Sequence, residues 1–95
     1  SFPKNKLVLA LSPNPVSNLA SINFLMPKAG KAEIVVLSLN GKSIKKIANN
    51  SFRAGANSVV WDTRDEKGKI VAAGLYMIVI KTEKERLAKR ILIAK

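Results

Sequence analysis

Turn-forming residues interrupt this chain at short intervals: Ser12-Pro13-Asn14-Pro15, Pro27 to Gly30, Asn40-Gly41, Asn49 to Gly55, Asp62 to Lys69 and Glu83-Lys84-Glu85. The stretches between them are rich in Val, Ile and Leu, and none carries a helical period. Turn signals at this spacing between runs of branched apolar residues are the pattern of an all-β sandwich or barrel. Seven strands are predicted, over residues 6–11, 20–26, 32–39, 43–48, 57–62, 74–82 and 86–94.

Local chemistry sharpens several of these. Pro13 and Pro15 fix φ and remove two backbone donors, so the chain bends or crosses over at Ser12 to Pro15. Ile22, Phe24 and Met26 alternate with Ser21 and Asn23, the signature of a half-buried strand. Asn40-Gly41 predicts a hairpin with a type I′ turn, whose two central residues both need positive φ. Asn49 to Gly55 reads as polar and irregular. Within residues 74–82, Tyr76, Ile78 and Ile80 share one face and Leu75, Met77 and Val79 the other, which predicts a central strand covered on both sides. The last strand divides differently, with Leu87, Lys89, Ile91 and Ile93 on one face and Arg86, Arg90 and Leu92 on the other.

Ninety-five residues make one domain, spanning 1–95 with residues 1–6 as a linker remnant, and a chain this short buries only about 60–65% of its unfolded surface. Starting at Ser1, it reads as a piece of a longer protein. Aromatics are 5% of the residues, so the core falls to branched aliphatics, with Trp61 and Tyr76 expected to pack inside rather than stack on sugar rings. No apolar run reaches the roughly 20 residues of a membrane helix.

Seventeen Lys and Arg against six Asp and Glu give a net charge of +11, a field that attracts polyanions. Basic residues gather near the C terminus at Lys81, Lys84, Arg86, Lys89, Arg90 and Lys95. The first five of these are candidates for gripping lipopolysaccharide or acidic polysaccharide. Nucleic acid is disfavoured as a specific partner, because the aromatics form no stacking platform. With no His and no Cys, the usual triads, zinc sites and thiol nucleophiles are ruled out. The acidic cluster Asp62, Asp65 and Glu66 lacks calcium-loop spacing and is expected to hydrogen-bond backbone amides in a turn completed by Gly68. Asn49-Asn50-Ser51 fits the glycosylation pattern. The chain reads as non-catalytic and monomeric, with no cofactor.

The order of motifs resembles a known family. "SPNP" (Pro13, Asn14, Pro15), "SINFLMPKAGKAEIVVLSLNGKSI" with Asn40 and Gly41, "AGANSVVWDTRDEKGKIVAAGLYMIVI" with Trp61, Asp62, Gly68, Gly74 and Tyr76, and the terminal "KRILIAK" are similar to the type A C-terminal sorting domain of type IX secretion cargo. The resemblance covers about residues 7–95. It implies a seven-stranded immunoglobulin-like antiparallel sandwich on a secreted enzyme or adhesin, reaching the surface of a Gram-negative bacterium through the periplasm and the outer-membrane secretion machinery. Lys89, Arg90, Ile91, Leu92, Ile93 and Lys95 match the family's basic terminal motif and are implied as the translocon-recognition residues. The Ig-like domain of flagellar hook-capping proteins shares the Trp-Asp, Gly and Gly-x-Tyr elements, which therefore indicate only the fold. The basic charge also resembles the terminal domains of bacterial fibrolytic enzymes, which implies retained surface attachment as the alternative.

Overall fold

The computed structural model describes residues 6–12 and 16–94. Seven strands follow in order: β1 (Val8–Ser12), β2 (Ala20–Met26), β3 (Gly30–Ser38), β4 (Ser43–Phe52), β5 (Gly55–Trp61), β6 (Gly74–Thr82) and β7 (Arg86–Ile93). They form two antiparallel sheets, β1-β2-β5 and β4-β3-β6-β7. The expected all-β, seven-stranded sandwich is what the chain adopts.

Alternation decides which residues face inward. From the three-stranded sheet Leu9, Ile22, Phe24, Met26 and Trp61 are buried, and from the four-stranded sheet Ile34, Val36, Ile78, Ile80, Ile91 and Ile93. Fully burying each large aliphatic is worth about 1.5–3 kcal/mol, the term that opposes chain entropy in so small a fold. Trp61 is 1% exposed. Its indole N–H donates to the Arg64 carbonyl at 2.9 Å, so burial leaves no donor unpaired. Its ring meets Tyr76 edge to face at 6.1 Å, linking the two sheets. Tyr76 is half-buried against the core, and its hydroxyl donates to the Ala72 carbonyl at 2.6 Å, pinning the entry to β6. Gly74, at φ 143°, makes that entry with a backbone conformation that side chains oppose. Phe24 and Phe52 make a second edge contact across the layers at 4.9 Å.

Three expectations are corrected. The Asn40-Gly41 turn is not type I′, because Thr63 is the one non-glycine residue with positive φ among those described, and Asn40 is therefore not in that region. Instead the Gly41 amide donates to the Ser38 carbonyl and the Ser38 amide to the Lys42 carbonyl, with Gly41 at φ 89°. This is a three-residue loop ending in a glycine bulge, and the Ser38 hydroxyl stabilises it by accepting from the Lys42 amide at 3.1 Å.

Residues 49–52 are strand and not irregular. Asn49, Asn50 and Ser51 pair with Glu33, Ala32 and Lys31 through the backbone, which asks nothing of the side chains at a sheet edge. Two register shifts in β4 bring both Ile44 and Ile47 against the core and break the regularity of that edge, which opposes pairing with another chain. Finally, β6 is central within its sheet but covered on one side only. Its outward residues Leu75 and Met77 are exposed and half-buried, because the sandwich has two layers, and only Val79 on that side is buried, outside the core between the sheets.

Candidate functional site

The predicted recognition residues lie on β7, an edge strand paired on one side with β6. Alternation divides them. Arg90 and Leu92 point outward and are exposed, Ile91 and Ile93 are each 1% exposed in the core, and Lys89 shares the inward side but is exposed at the sheet edge. Lys95 and the Pro13-Asn14-Pro15 stretch lie outside the described residues. A folded domain therefore offers a partner Lys89, Arg90 and Leu92, while Ile91 and Ile93 hold the strand in place.

The far edge of β7 is partly occupied. The Val16 amide donates to the Leu92 carbonyl at 2.8 Å, and the Ala94 amide donates to the Val16 carbonyl at 2.7 Å, in a parallel bridge. The chain thus leaves β1 in one sheet and reaches the other by Val16, the crossover that the prolines predicted. No described residue outside β6 pairs with the backbone from Arg86 to Arg90, so the open edge is the basic half of the strand.

The five candidate polyanion residues are also split. Lys81 and Arg86 are direct cross-strand partners, and Arg90 lies across from Met77, so these three cations share the outer face of the four-stranded sheet. Lys84 sits in the β6–β7 hairpin, where the Thr82 hydroxyl accepts from the Lys84 and Glu85 amides, and Lys89 is on the opposite side of β7. Like charges directly opposite one another on a sheet destabilise it, a cost of the Lys81–Arg86 pair that Glu33, opposite Lys81 on β3, offsets in part. Among the described residues, the ion pairs are Lys45–Glu66 at 3.8 Å and Lys46–Glu33 at 3.4 Å, and neither involves this trio.

The acidic loop behaves as its turn chemistry predicts. Asp62 accepts from the Arg64 amide at 3.2 Å, and Asp65 accepts from the Lys67 and Lys69 amides, both at 2.9 Å. The Lys69 amide bond is the largest influence on Asp65 and, with the Lys67 bond and both ammonium charges, holds its carboxyl below the ordinary value despite some loss of hydration. Gly68 completes the turn at φ 83°, and Glu66 is engaged by Lys45. Among the described residues no three acidic side chains converge as a metal site. Asn49, Asn50 and Ser51 are exposed on the β4 edge, and Trp61 is too deep to stack on a ligand.

Sequence reasoning missed Thr63. It is 2% exposed at φ 60°, a strained conformation for a β-branched residue, and its carbonyl accepts from the Val71 amide at 2.9 Å. Its hydroxyl donates to the Asp62 carbonyl at 2.6 Å and lies 3.4 Å from the Asn18 carbonyl, which places the loop after β5 beside the approach to β2. No sequence signal marks it, since propensity argues against threonine at positive φ.

These features define an immunoglobulin-like sandwich whose distinctive side chains lie on its last strand and outer faces. The FlgD Ig-like domain family matches residues 17–86, and the chain belongs to it. No curated protein sequence matches the chain. Among solved structures, latent dimeric PorU from Porphyromonas gingivalis is similar with a TM-score of 0.71 and 16% identity, over 93% of this chain and 9% of that one. PorZ, an essential surface component of the type IX secretion system of the same organism, is similar at 0.64 and 16%, over 92% of this chain and 11% of that one. FlgD from Xanthomonas campestris, described in connection with hook capping in flagellar assembly, is similar at 0.63 and 23%, over 93% and 67%. At these identities the likeness is one of fold, and the chain spans about a tenth of the two Porphyromonas proteins.

Proposed function

We propose that this domain is a non-catalytic C-terminal module, comprising residues 1–95, that directs a secreted enzyme or adhesin through the type IX outer-membrane translocon to the surface of a Gram-negative bacterium. The observation that carries the reading is the terminal strand itself. Its buried Ile91 and Ile93 fix it to the core while Lys89, Arg90 and Leu92 stay exposed, so a translocon can read the motif without unfolding the domain. Support comes from the occurrence of the same fold in a type IX surface component, PorZ.

Fusing residues 1–95 to a periplasmic reporter in a host with type IX secretion tests it. The expected result is reporter at the surface or in the medium. Retention in the periplasm, while a sorting domain of the host exports the same reporter, contradicts it.

The Lys81–Arg86–Arg90 trio favours a second reading, in which the domain stays on the surface and binds lipopolysaccharide or acidic polysaccharide. That reading expects retention on immobilised heparin or lipopolysaccharide that falls steeply with salt and is lost on changing Lys81, Arg86 and Arg90 to Gln. Retention unchanged by the triple substitution contradicts it.

A further inference from the structure

A solvent-facing sheet ordinarily alternates apolar inward with polar outward residues. The outer face of the four-stranded sheet breaks this rule on its two central strands. Val35 and Leu37 of β3 stand in register with Val79 and Met77 of β6, and Leu75 of β6 with Leu92 of β7. Leu75 and Leu92 are 43% and 40% exposed. Met77, Val35 and Leu37 are half-buried and Val79 is buried beneath its neighbours, so the six side chains form one continuous apolar band whose most open part is Leu75 and Leu92. Along one side of it lie Lys81, Arg86 and Arg90; Glu33 stands opposite Lys81 on β3 but makes its ion pair, at 3.4 Å, with Lys46, so none of the three cations has a carboxylate in ion-pair contact among the described residues.

We propose that this band is a docking surface for a partner protein that presents an apolar stripe bordered by Asp and Glu. Charge selects the occupant. A second copy would bring the same three cations against these and is repelled, at a net charge of +11 per chain. A lipid surface is disfavoured because the band carries no Trp or Tyr, the residues that anchor proteins at membrane interfaces. Carboxylates of a partner placed over Lys81 and Arg86 would offset the like-charge pair that the free domain carries. The surface shares Arg90 and Leu92 with the sorting reading but asks nothing of Lys89 or the terminus, and a binding titration on the isolated chain reads it separately from export.

The test is an amide-resolved NMR titration of the ¹⁵N-labelled chain with a synthetic amphipathic helix of about five turns, a leucine stripe flanked by glutamates. A lysine-for-glutamate version of the peptide and phosphatidylglycerol vesicles serve as the comparison arms. The expected result is shifts confined to Leu75, Met77, Val79, Arg90 and Leu92 with the acidic peptide alone. Affinity should drop about tenfold or more at high salt and in Arg90→Glu, and in Leu75→Ser with Leu92→Ser. These positions are at the surface, and Trp61 fluorescence with thermal unfolding checks that each variant is folded. Four results overturn the proposal: no shifts on this face, equal shifts with both peptides, shifts with vesicles and not with the acidic peptide, or concentration-dependent shifts of the same residues without peptide, which would make the face a self-association surface.

Discussion

The two sheets face each other with the same chemistry and differ in charge where they face solvent. Outward from the three-stranded sheet point Val8, Ala10 and Ser12 of β1, Ser21, Asn23 and Leu25 of β2, and Ala56, Ser58 and Val60 of β5, with no charge among them. Outward from the four-stranded sheet lie an apolar band, the carboxylate Glu33 and the cations Lys31, Lys46, Lys81, Arg86 and Arg90. A net charge of +11 spread without regard to function would reach both faces. Its absence from one shows that the charge is a property of particular strands, and that solubility alone does not explain it.

The interior belongs to both faces equally, so damage there removes the contrast altogether. Trp61→Ala deletes the side chain that joins the sheets and should cost about 3–5 kcal/mol by chemical denaturation, a large share of a small domain's stability. An effect below about 1 kcal/mol would show that the Trp61–Tyr76 contact is not central.

Within β7 the contrast sharpens to neighbouring residues. Ile91→Ala should cost about 2–5 kcal/mol, and Leu92→Ser no more than about 0.5 kcal/mol, because one is buried and the other is not. Equal losses would mean that Leu92 is covered in solution.

Smaller effects belong to the turns. Gly41→Ala and Gly68→Ala each force a side chain into positive φ and should cost about 1–2 kcal/mol, with matching thermal shifts because the two loops share one geometry. A neutral Gly41→Ala would contradict the glycine-bulge assignment.

The smallest effect is that of Asp65, which is read by pH. Its folded carboxyl titrates below the unfolded one, so its contribution is fully present above the ordinary aspartate pKa and is lost as pH falls through the lowered folded value. Protection of the Lys67 and Lys69 amides, measured against their intrinsic exchange rates at each pH, should therefore fall as the solution is taken below the ordinary aspartate range, and Asp65→Ala should lack that protection at every pH. Exchange insensitive to that acid range in the wild type would contradict the capping role.

Much of this was legible from alternation and turn spacing. The inward residues of β2, β5 and β7 and the limits of β6 follow from periodicity, because sheet geometry converts period two directly into two faces. The split of β7 into buried Ile91 and Ile93 and exposed Arg90 and Leu92 follows in the same way. What failed was whatever backbone pairing decides without side chains. Asn49 to Ser51 extend β4 through main-chain bonds alone, and Val16 clasps β7 through two such bonds from a segment with no periodicity. The Asn-Gly pair correctly marked a hairpin, but it suits more than one turn, and Ser38 selects the bulged form by accepting from the Lys42 amide. The outward apolar residues of β6 were legible, but they were assigned to a second covering layer, because sequence does not reveal how many layers a fold has.

The central claim is that the exposed side of the last strand carries the address. Its most direct test is export of the reporter fusion by a type IX host, comparing Lys89→Ala, Arg90→Ala and Leu92→Ser combined with Ser58→Lys and Val60→Lys combined on the opposite face. All five positions are surface residues or half-exposed strand positions, so thermal unfolding should shift little in either variant. The account predicts that the β7 variant stays in the periplasm, folded, while the three-stranded-face variant is exported like the wild type. Export of the β7 variant at the wild-type level would contradict it.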